Sequence, residues 1–108
     1  MESFHRDIVE ALRLSAFSHY GTRCEQRSRW LLIDSGTDEP SLNVAAVTDQ
    51  KIEILDVQEP ANWFRETRRP FCFLLKVEDH SGVIAALLEA GMEIAISSHI
   101  HIIICQFC

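Results

Sequence analysis

The last ten residues of the chain concentrate the side-chain types that bind zinc. They include His99, His101, Cys105 and Cys108, and imidazole and thiolate are the usual ligands of this metal. The isoleucine-rich sequence between them favours a strand, in which Cys105 and Cys108 would point to opposite faces. We therefore expect a core strand with no metal site, and a small metal-binding protein is the alternative.

Two further sets of residues have the side-chain types of a catalytic site. His99 and His101 would share one face of the predicted strand and could act as acid and base near neutral pH, but no carboxylate or nucleophile accompanies them in the sequence. Asp34, Ser35 and His80 have the residue types of a hydrolase, yet Ser35 lacks the Gly-x-Ser-x-Gly pattern. We expect no catalytic residue in this chain.

Length, charge and hydropathy restrict the class of protein. The 108 residues suit a single domain, residues 1–108, and the 47% hydrophobic content predicts a folded one. A net charge of -6 argues against nucleic acid as a partner, because phosphate binding needs a basic surface. The sequence has no apolar run of about 20 residues and no signal-type start. We expect no membrane association, a cytoplasmic location, and reduced thiols at all four cysteines.

The first half of the sequence alternates between helical and extended patterns. Apolar residues recur every three or four positions over residues 3–20, which predicts an amphipathic helix. The polar segment 22–28 is predicted to be a loop. Residues 30–33 and 42–48 are apolar runs separated by turn-forming residues, which predicts two strands paired as an antiparallel hairpin.

The second half continues the alternation. Residues 51–57 are predicted to be extended and to lead into a helix. Pro60 suits the first turn of that helix, which continues to Arg68 and is ended by Pro70. Residues 71–77 have the pattern of a strand buried on both faces. A helix over residues 82–90 ends at Gly91, and one long strand is predicted from Met92 to about residue 107. The fold class is α/β (α+β), a small mixed, mainly antiparallel sheet of about four to five strands flanked by about three helices.

Four short fragments together resemble the N-terminal lobe of GNAT-type N-acetyltransferases, in particular the divergent first lobe of tandem members. They are WLLIDSG at 30–36, PSLNV at 40–44, WFR at 63–65 with RPF at 69–71, and LLEAGM at 87–92. The likeness covers roughly residues 12–92. It implies a GNAT-like half domain that lies beside acyl-CoA and shapes the acceptor-substrate cleft.

The chain departs from this family in its glycines. The family holds the cofactor pyrophosphate in an Arg/Gln-x-x-Gly-x-Gly/Ala turn at a helix N-terminus, and none of the four glycines of this chain has that spacing. The sequence ends where the acetyl-CoA-binding half would be expected to begin. The resemblance implies acetyl-CoA as the cofactor of the system, but we expect no cofactor to be bound by this chain alone and no acetyl transfer without a second lobe.

The resemblance also suggests substrate-side residues and partners. The substrate-binding candidates are Trp30, Asn43, Trp63 and Arg69. Each also has a purely structural interpretation. The two indoles would fill the core, the Asn43 amide would bond local backbone groups at the start of a strand, and Arg69 would lie at a solvated helix end. The expected partner is a second acetyltransferase lobe or a second copy of the chain. The alternative from another functional class is a non-enzymatic interaction module that dimerises through the exposed edge of its isoleucine-rich last strand.

Overall fold

A six-stranded sheet with two α-helices forms the described part of the protein. The structure is a computed structural model, which describes residues 23–39 and 43–105. The strands, in chain order, are β1 (Arg23–Arg27), β2 (Trp30–Asp34), β3 (Val44–Val47), β4 (Cys72–Lys76), β5 (Glu93–Ser97) and β6 (His101–Cys105). The helices are a 3-10 helix (Ile54–Val57), α1 (Gln58–Thr67) and α2 (Ser81–Glu89).

The sheet is mixed and mainly antiparallel, as the sequence predicts. Its spatial order is β1-β2-β3-β4-β6-β5. Only β3 and β4 are parallel neighbours, and the other four pairs are antiparallel. The predicted hairpin of the two early apolar runs is confirmed as β2 with β3. Six strands replace the expected four to five. The helix predicted over residues 3–20 lies outside the described residues, which contain two α-helices where about three helices were expected.

Strand β1 corrects the prediction of a loop over residues 22–28. All five residues of Arg23–Arg27 pair with β2, through a two-residue connection in which Ser28 has a φ of 49°. A positive φ at this position is usual in tight hairpins. Because β1 is an edge strand and largely exposed, its residues need no apolar alternation. Its conformation therefore comes from pairing with the buried β2.

The single long strand predicted from Met92 to about residue 107 is wrong. The chain turns back at residues 98–100, so that β5 and β6 form an antiparallel hairpin. The Ser98 Oγ accepts hydrogen bonds from the backbone N–H groups of Ile100 (3.3 Å) and His101 (3.0 Å). Serine side chains stabilise turns in this way. His99 therefore lies in a turn and does not share a strand face with His101.

Both helices lie on one face of the sheet, which we call the helix face. Trp63 and Phe64 of α1 and Val83 and Leu87 of α2 pack with strand residues in the larger apolar cluster. Pro60 lies in the first turn of α1, and Gly91 follows α2 with a φ of 96°, as expected of a glycine that ends a helix. On the second face, the described residues form a smaller buried cluster that comes from the strands, with Leu31, Ile33, Ala46 and Leu74.

Strand β4 is buried at all five residues and lies between β3 and β6, which confirms the central position predicted for residues 71–77. Cys72 of β4 lies directly opposite Cys105 of β6, with the Cα atoms 4.2 Å apart, and the two form a disulfide. The prediction of reduced thiols is wrong for this pair, because strand pairing places residues adjacent that are 33 positions apart. Because Cys72 and Cys105 are oxidised, these cysteines do not support the cytoplasmic location, which stays a prediction.

The helices within the described part of the chain, residues 23–39 and 43–105, are at most ten residues long. None of them has the length and apolar character that crossing a bilayer requires.

Candidate functional site

A shallow groove of about 330 Å³ lies between α1 and the end of β1. Four of its residues come from α1 at spacings of three and four, which places them along one side of the helix. The lining residues are Arg27, Glu59, Asn62, Trp63 and Glu66. We call this feature the α1–β1 groove.

Trp63 forms the apolar part of the groove and is held in place by its neighbours. Its indole is 3% exposed and packs edge-on against Phe64, with 4.8 Å between ring centroids. The indole Nε1 donates a hydrogen bond to Glu25 Oε2 at 2.8 Å, and the guanidinium carbon of Arg23 lies 4.6 Å from the ring centroid. Hydrogen bonding and cation–π contact therefore fix the ring from the β1 side.

Around the groove, three carboxylates (Glu25, Glu59 and Glu66) outnumber two guanidinium groups (Arg23 and Arg27). The Glu25 carboxylate accepts hydrogen bonds from Trp63 and from Arg27 Nε at 2.9 Å, and these two bonds lower the pKa of Glu25 below its ordinary value. Arg27 is thus engaged by Glu25, whereas Glu59 and Glu66 flank the indole along α1. The groove can attract and orient a cationic or hydrogen-bonding group. It contains no nucleophile paired with a base.

A second polar arrangement lies where β2 ends and β3 and β4 begin. Asn43 is fully buried, and its side chain makes four hydrogen bonds. Its Oδ1 accepts from the Ser35 N–H (2.9 Å) and Ser35 Oγ (2.8 Å). Its Nδ2 donates to the carbonyl oxygens of Thr37 and Pro70, each at 2.9 Å. One amide therefore joins the loop after β2 to the segment before β4.

An ion pair lies beside this amide. Asp34 is 2% exposed, and its Oδ1 accepts hydrogen bonds from Arg69 Nη1 at 2.8 Å and from the Gly36 N–H at 2.9 Å. A buried carboxylate needs such partners, because an unpaired one is costly. We call Asp34, Ser35, Asn43, Arg69 and Pro70 the Asn43 cluster.

The four residues predicted to bind substrate do not form one site. Asn43 and Arg69 lie together in the Asn43 cluster, Trp63 lines the α1–β1 groove, and Trp30 lies at the opposite end of β2 from Asp34. Trp30 is fully buried, and its Nε1 donates to the Asp56 carbonyl oxygen at 3.0 Å. In the structure Trp30 and Asn43 have roles in packing and in backbone hydrogen bonding. Substrate contact by any of the four stays a prediction.

The other groove residues were not identified from the sequence. Glu59, Asn62 and Glu66 surround Trp63 at helical spacing, so a search around Trp63 in the predicted helix would have found them. Arg27 had no such signal, because the segment that contains it was predicted to be a loop.

The residues considered for metal or acid–base chemistry are dispersed. Cys105 is in the disulfide, so its sulfur is not a thiolate ligand, and Cys108 lies outside the described residues. Among residues 23–39 and 43–105, no group of three or more His, Cys, Asp or Glu side chains is arranged to hold a metal.

His80 is buried and serves the backbone. Its Nδ1 accepts the Lys76 N–H at 3.0 Å, so Nε2 carries the proton and donates to the Asp49 carbonyl oxygen at 3.1 Å. Ser35, the other half of the hydrolase hypothesis, has its Oγ bonded to Asn43.

Comparisons with protein-family models, with curated proteins and with solved structures return no match to this chain, so the resemblance to GNAT-type N-acetyltransferases rests on the four fragments alone.

Proposed function

We propose that this chain is the acceptor-substrate lobe of an acyl-CoA-dependent N-acetyltransferase system and that it does not catalyse acetyl transfer alone. The four fragments in order suggest the family. The absence of an Arg/Gln-x-x-Gly-x-Gly/Ala segment from the sequence suggests that another lobe holds the cofactor.

The Asn43 cluster is the observation that carries this proposal. Three of the four fragments meet in it, since Asp34 and Ser35 belong to the first, Asn43 to the second, and Arg69 and Pro70 to the third. Fragments that match a family only by chance need not contact one another. Their connection through one buried network supports the view that they form a single inherited framework.

The α1–β1 groove is the proposed contact surface for the acceptor. An acceptor amine is cationic until it is deprotonated, and Glu59 and Glu66 provide negative charge on either side of Trp63. In this arrangement the chain binds and orients the amine, and the proton transfer and the acyl group belong to the second lobe.

Calorimetric titration with acetyl-CoA tests whether cofactor binding belongs to a second lobe and not to this chain. We expect no binding in the micromolar range by this chain, because it lacks the glycine turn that approaches the pyrophosphate. Micromolar affinity of the isolated chain would contradict the proposal.

Titration with primary amines, followed by tryptophan fluorescence, tests the groove. We expect a Glu59→Gln/Glu66→Gln variant to bind a diamine such as butane-1,4-diamine at least tenfold more weakly than the wild type, because two carboxylates are neutralised. Glu89→Gln is the matched control, since Glu89 is exposed at the end of α2 and does not line the groove. Equal weakening in the control, or no binding by the wild type, would count against the groove as the acceptor site.

A further inference from the structure

The second face of the sheet is buried, although neither of the two described α-helices lies on it. Leu31, Ala46 and Leu74 point to this face, and each is at most 5% exposed. Both α1 and α2 pack on the helix face instead. A sheet face without a covering layer meets water. The exposed fractions are those of a single chain, so the cover of the second face belongs to the same chain.

The exposure along one row of side chains shows how far this cover extends. Directly paired residues share a face, and one such row crosses the second face from β2 to β5 through Leu31, Ala46, Leu74, Ile103 and Ile96. The first three are buried, Ile103 is half-buried and Ile96 is 63% exposed. The cover therefore lies over β2, β3 and β4 and ends before β5, the open edge of the described sheet. The open edge predicted for the isoleucine-rich last strand thus belongs to β5, because β6 lies between β4 and β5.

The covered strip has the width of one helix. Neighbouring strands lie about 4.8 Å apart, so the distance from β2 to β4 is about 10 Å. A helix with its side chains has a diameter of roughly 10–12 Å. One helix that runs along β3 would cover the strip and leave Ile96 exposed.

Three segments of the chain lie outside the described residues, and only one is long enough to be this helix. They are residues 1–22, 40–42 and 106–108. A helix over residues 3–20 would be about 27 Å long, more than the roughly 17 Å of a five-residue strand. A segment of three residues is too short to cover three strands along their length.

The sequence of residues 3–20 suits this position. Phe4, Ile8 and Leu12 recur every four residues, which places them on one side of a helix, and Glu10 and Arg13 would lie on the other side. Only residues 21 and 22 join this segment to the start of β1. Connections of two to six residues between a helix and a strand are common. A helix over residues 3–20 can therefore reach the sheet face beside β1.

We propose that residues 3–20 form an amphipathic helix that docks on the second face over β2, β3 and β4. Phe4, Ile8 and Leu12 pack against the apolar cluster that contains Leu31 and Leu74. The second face is thus an interaction surface, and its partner is the N-terminal segment of the same chain. The sheet then has a helical layer on each face. This inference does not depend on the acetyltransferase proposal.

Methyl NOE spectroscopy of the isotope-labelled full chain tests the proposal. We expect contacts from the methyl groups of Ile8 and Leu12 to those of Leu31 and Leu74, and none to Ile96. Contacts from residues 3–20 to the helix face, or no contacts at all, would overturn it. In a mixture of labelled and unlabelled chains, contacts between copies would assign the cover to a second copy and would also overturn it.

Two matched double variants test the apolar side of the proposed helix. Ile8→Gln/Leu12→Gln replaces two residues of that side, and Glu10→Gln/Arg13→Gln places the same side chains on the opposite side. A soluble gadolinium chelate speeds the relaxation of exposed methyl protons. We expect the Leu74 methyl groups to lose their protection from the chelate in the first variant and to keep it in the second. Equal protection of Leu74 in both variants would exclude this side of the helix as the contact.

Two other methyl groups are internal controls in the same spectra. Ile96 should relax fast in every protein, because it is exposed on the second face beyond the cover. Leu87 is buried on the helix face and should stay protected in both variants, which shows that the rest of the fold is kept. If Leu87 also loses its protection, the variant has unfolded, and the NOE contacts of the wild type decide.

Discussion

Replacing Asn43 by alanine tests whether the Asn43 cluster holds the sheet together. The substitution removes four side-chain hydrogen bonds, two to Ser35 and one each to Thr37 and Pro70. The backbone bond from the Cys72 N–H to the Asn43 carbonyl oxygen, 2.8 Å long, is kept. The change therefore isolates the side-chain links between the loop after β2 and the entry to β4.

The expected cost follows from the number and exposure of these bonds. A hydrogen bond contributes a net ~1 kcal/mol, and a buried group that loses its partner costs more. Asn43 is fully buried, but Ser35 and Pro70 are only half-buried. Water can therefore form hydrogen bonds with some of the groups that lose the Asn43 amide as a partner. We expect the free energy of unfolding to fall by about 3–4 kcal/mol, a large part of the roughly 5–15 kcal/mol typical of a domain.

Urea denaturation followed by circular dichroism measures this loss. With an m value of about 1–2 kcal/mol/M, the midpoint should fall by about 2 M with an unchanged slope. Asn62→Ala is the matched control, because Asn62 is an exposed asparagine on α1, and it should change stability by less than ~0.5 kcal/mol. Ser35→Ala removes one of the side-chain bonds and should cost about 1 kcal/mol. If Asn43→Ala costs no more than Asn62→Ala, the cluster does not stabilise the fold and its support for the proposed function is lost.

Two other predictions concern stability. The free energy of unfolding of the Cys72→Ala/Cys105→Ala variant should be about 3–4 kcal/mol lower than that of the oxidised wild type, because the disulfide closes a loop between residues 33 positions apart. Equal urea midpoints for the two proteins would contradict this. The Lys76 ammonium, 2.9 Å from Asp79, donates a hydrogen bond that lowers the pKa of Asp79 below its ordinary value. A lowered folded-state pKa contributes stability above the unfolded-state value and loses it as the pH falls through the folded-state value. Wild type should therefore lose more stability between pH 5 and pH 2 than Asp79→Asn does, while Glu89→Gln should follow the wild type; parallel curves for wild type and Asp79→Asn would show that this carboxylate does not contribute.

Much of the fold could be predicted from local patterns. The apolar run that became β4, the start of α1 at Pro60 and the end of α2 at Gly91 depend on burial and turn chemistry within a few residues. The pairing of β2 with β3 followed from two apolar runs separated by one turn. Trp63 was the only groove residue identified, because an indole in an amphipathic helix is conspicuous without its neighbours.

The sequence by itself thus determined where the chain is buried and where its helices end, since these properties depend on residues close together in the chain. Only the tertiary structure decided that a polar segment forms β1, that Cys72 meets Cys105, and that Asn43 reaches Pro70. Strand pairing joins residues up to 33 positions apart, and side-chain hydrogen bonds join residues up to 38 positions apart. No local pattern encodes such partners. The α1–β1 groove and the open edge of β5 arise for the same reason, because each is defined by which strands lie beside it and which do not.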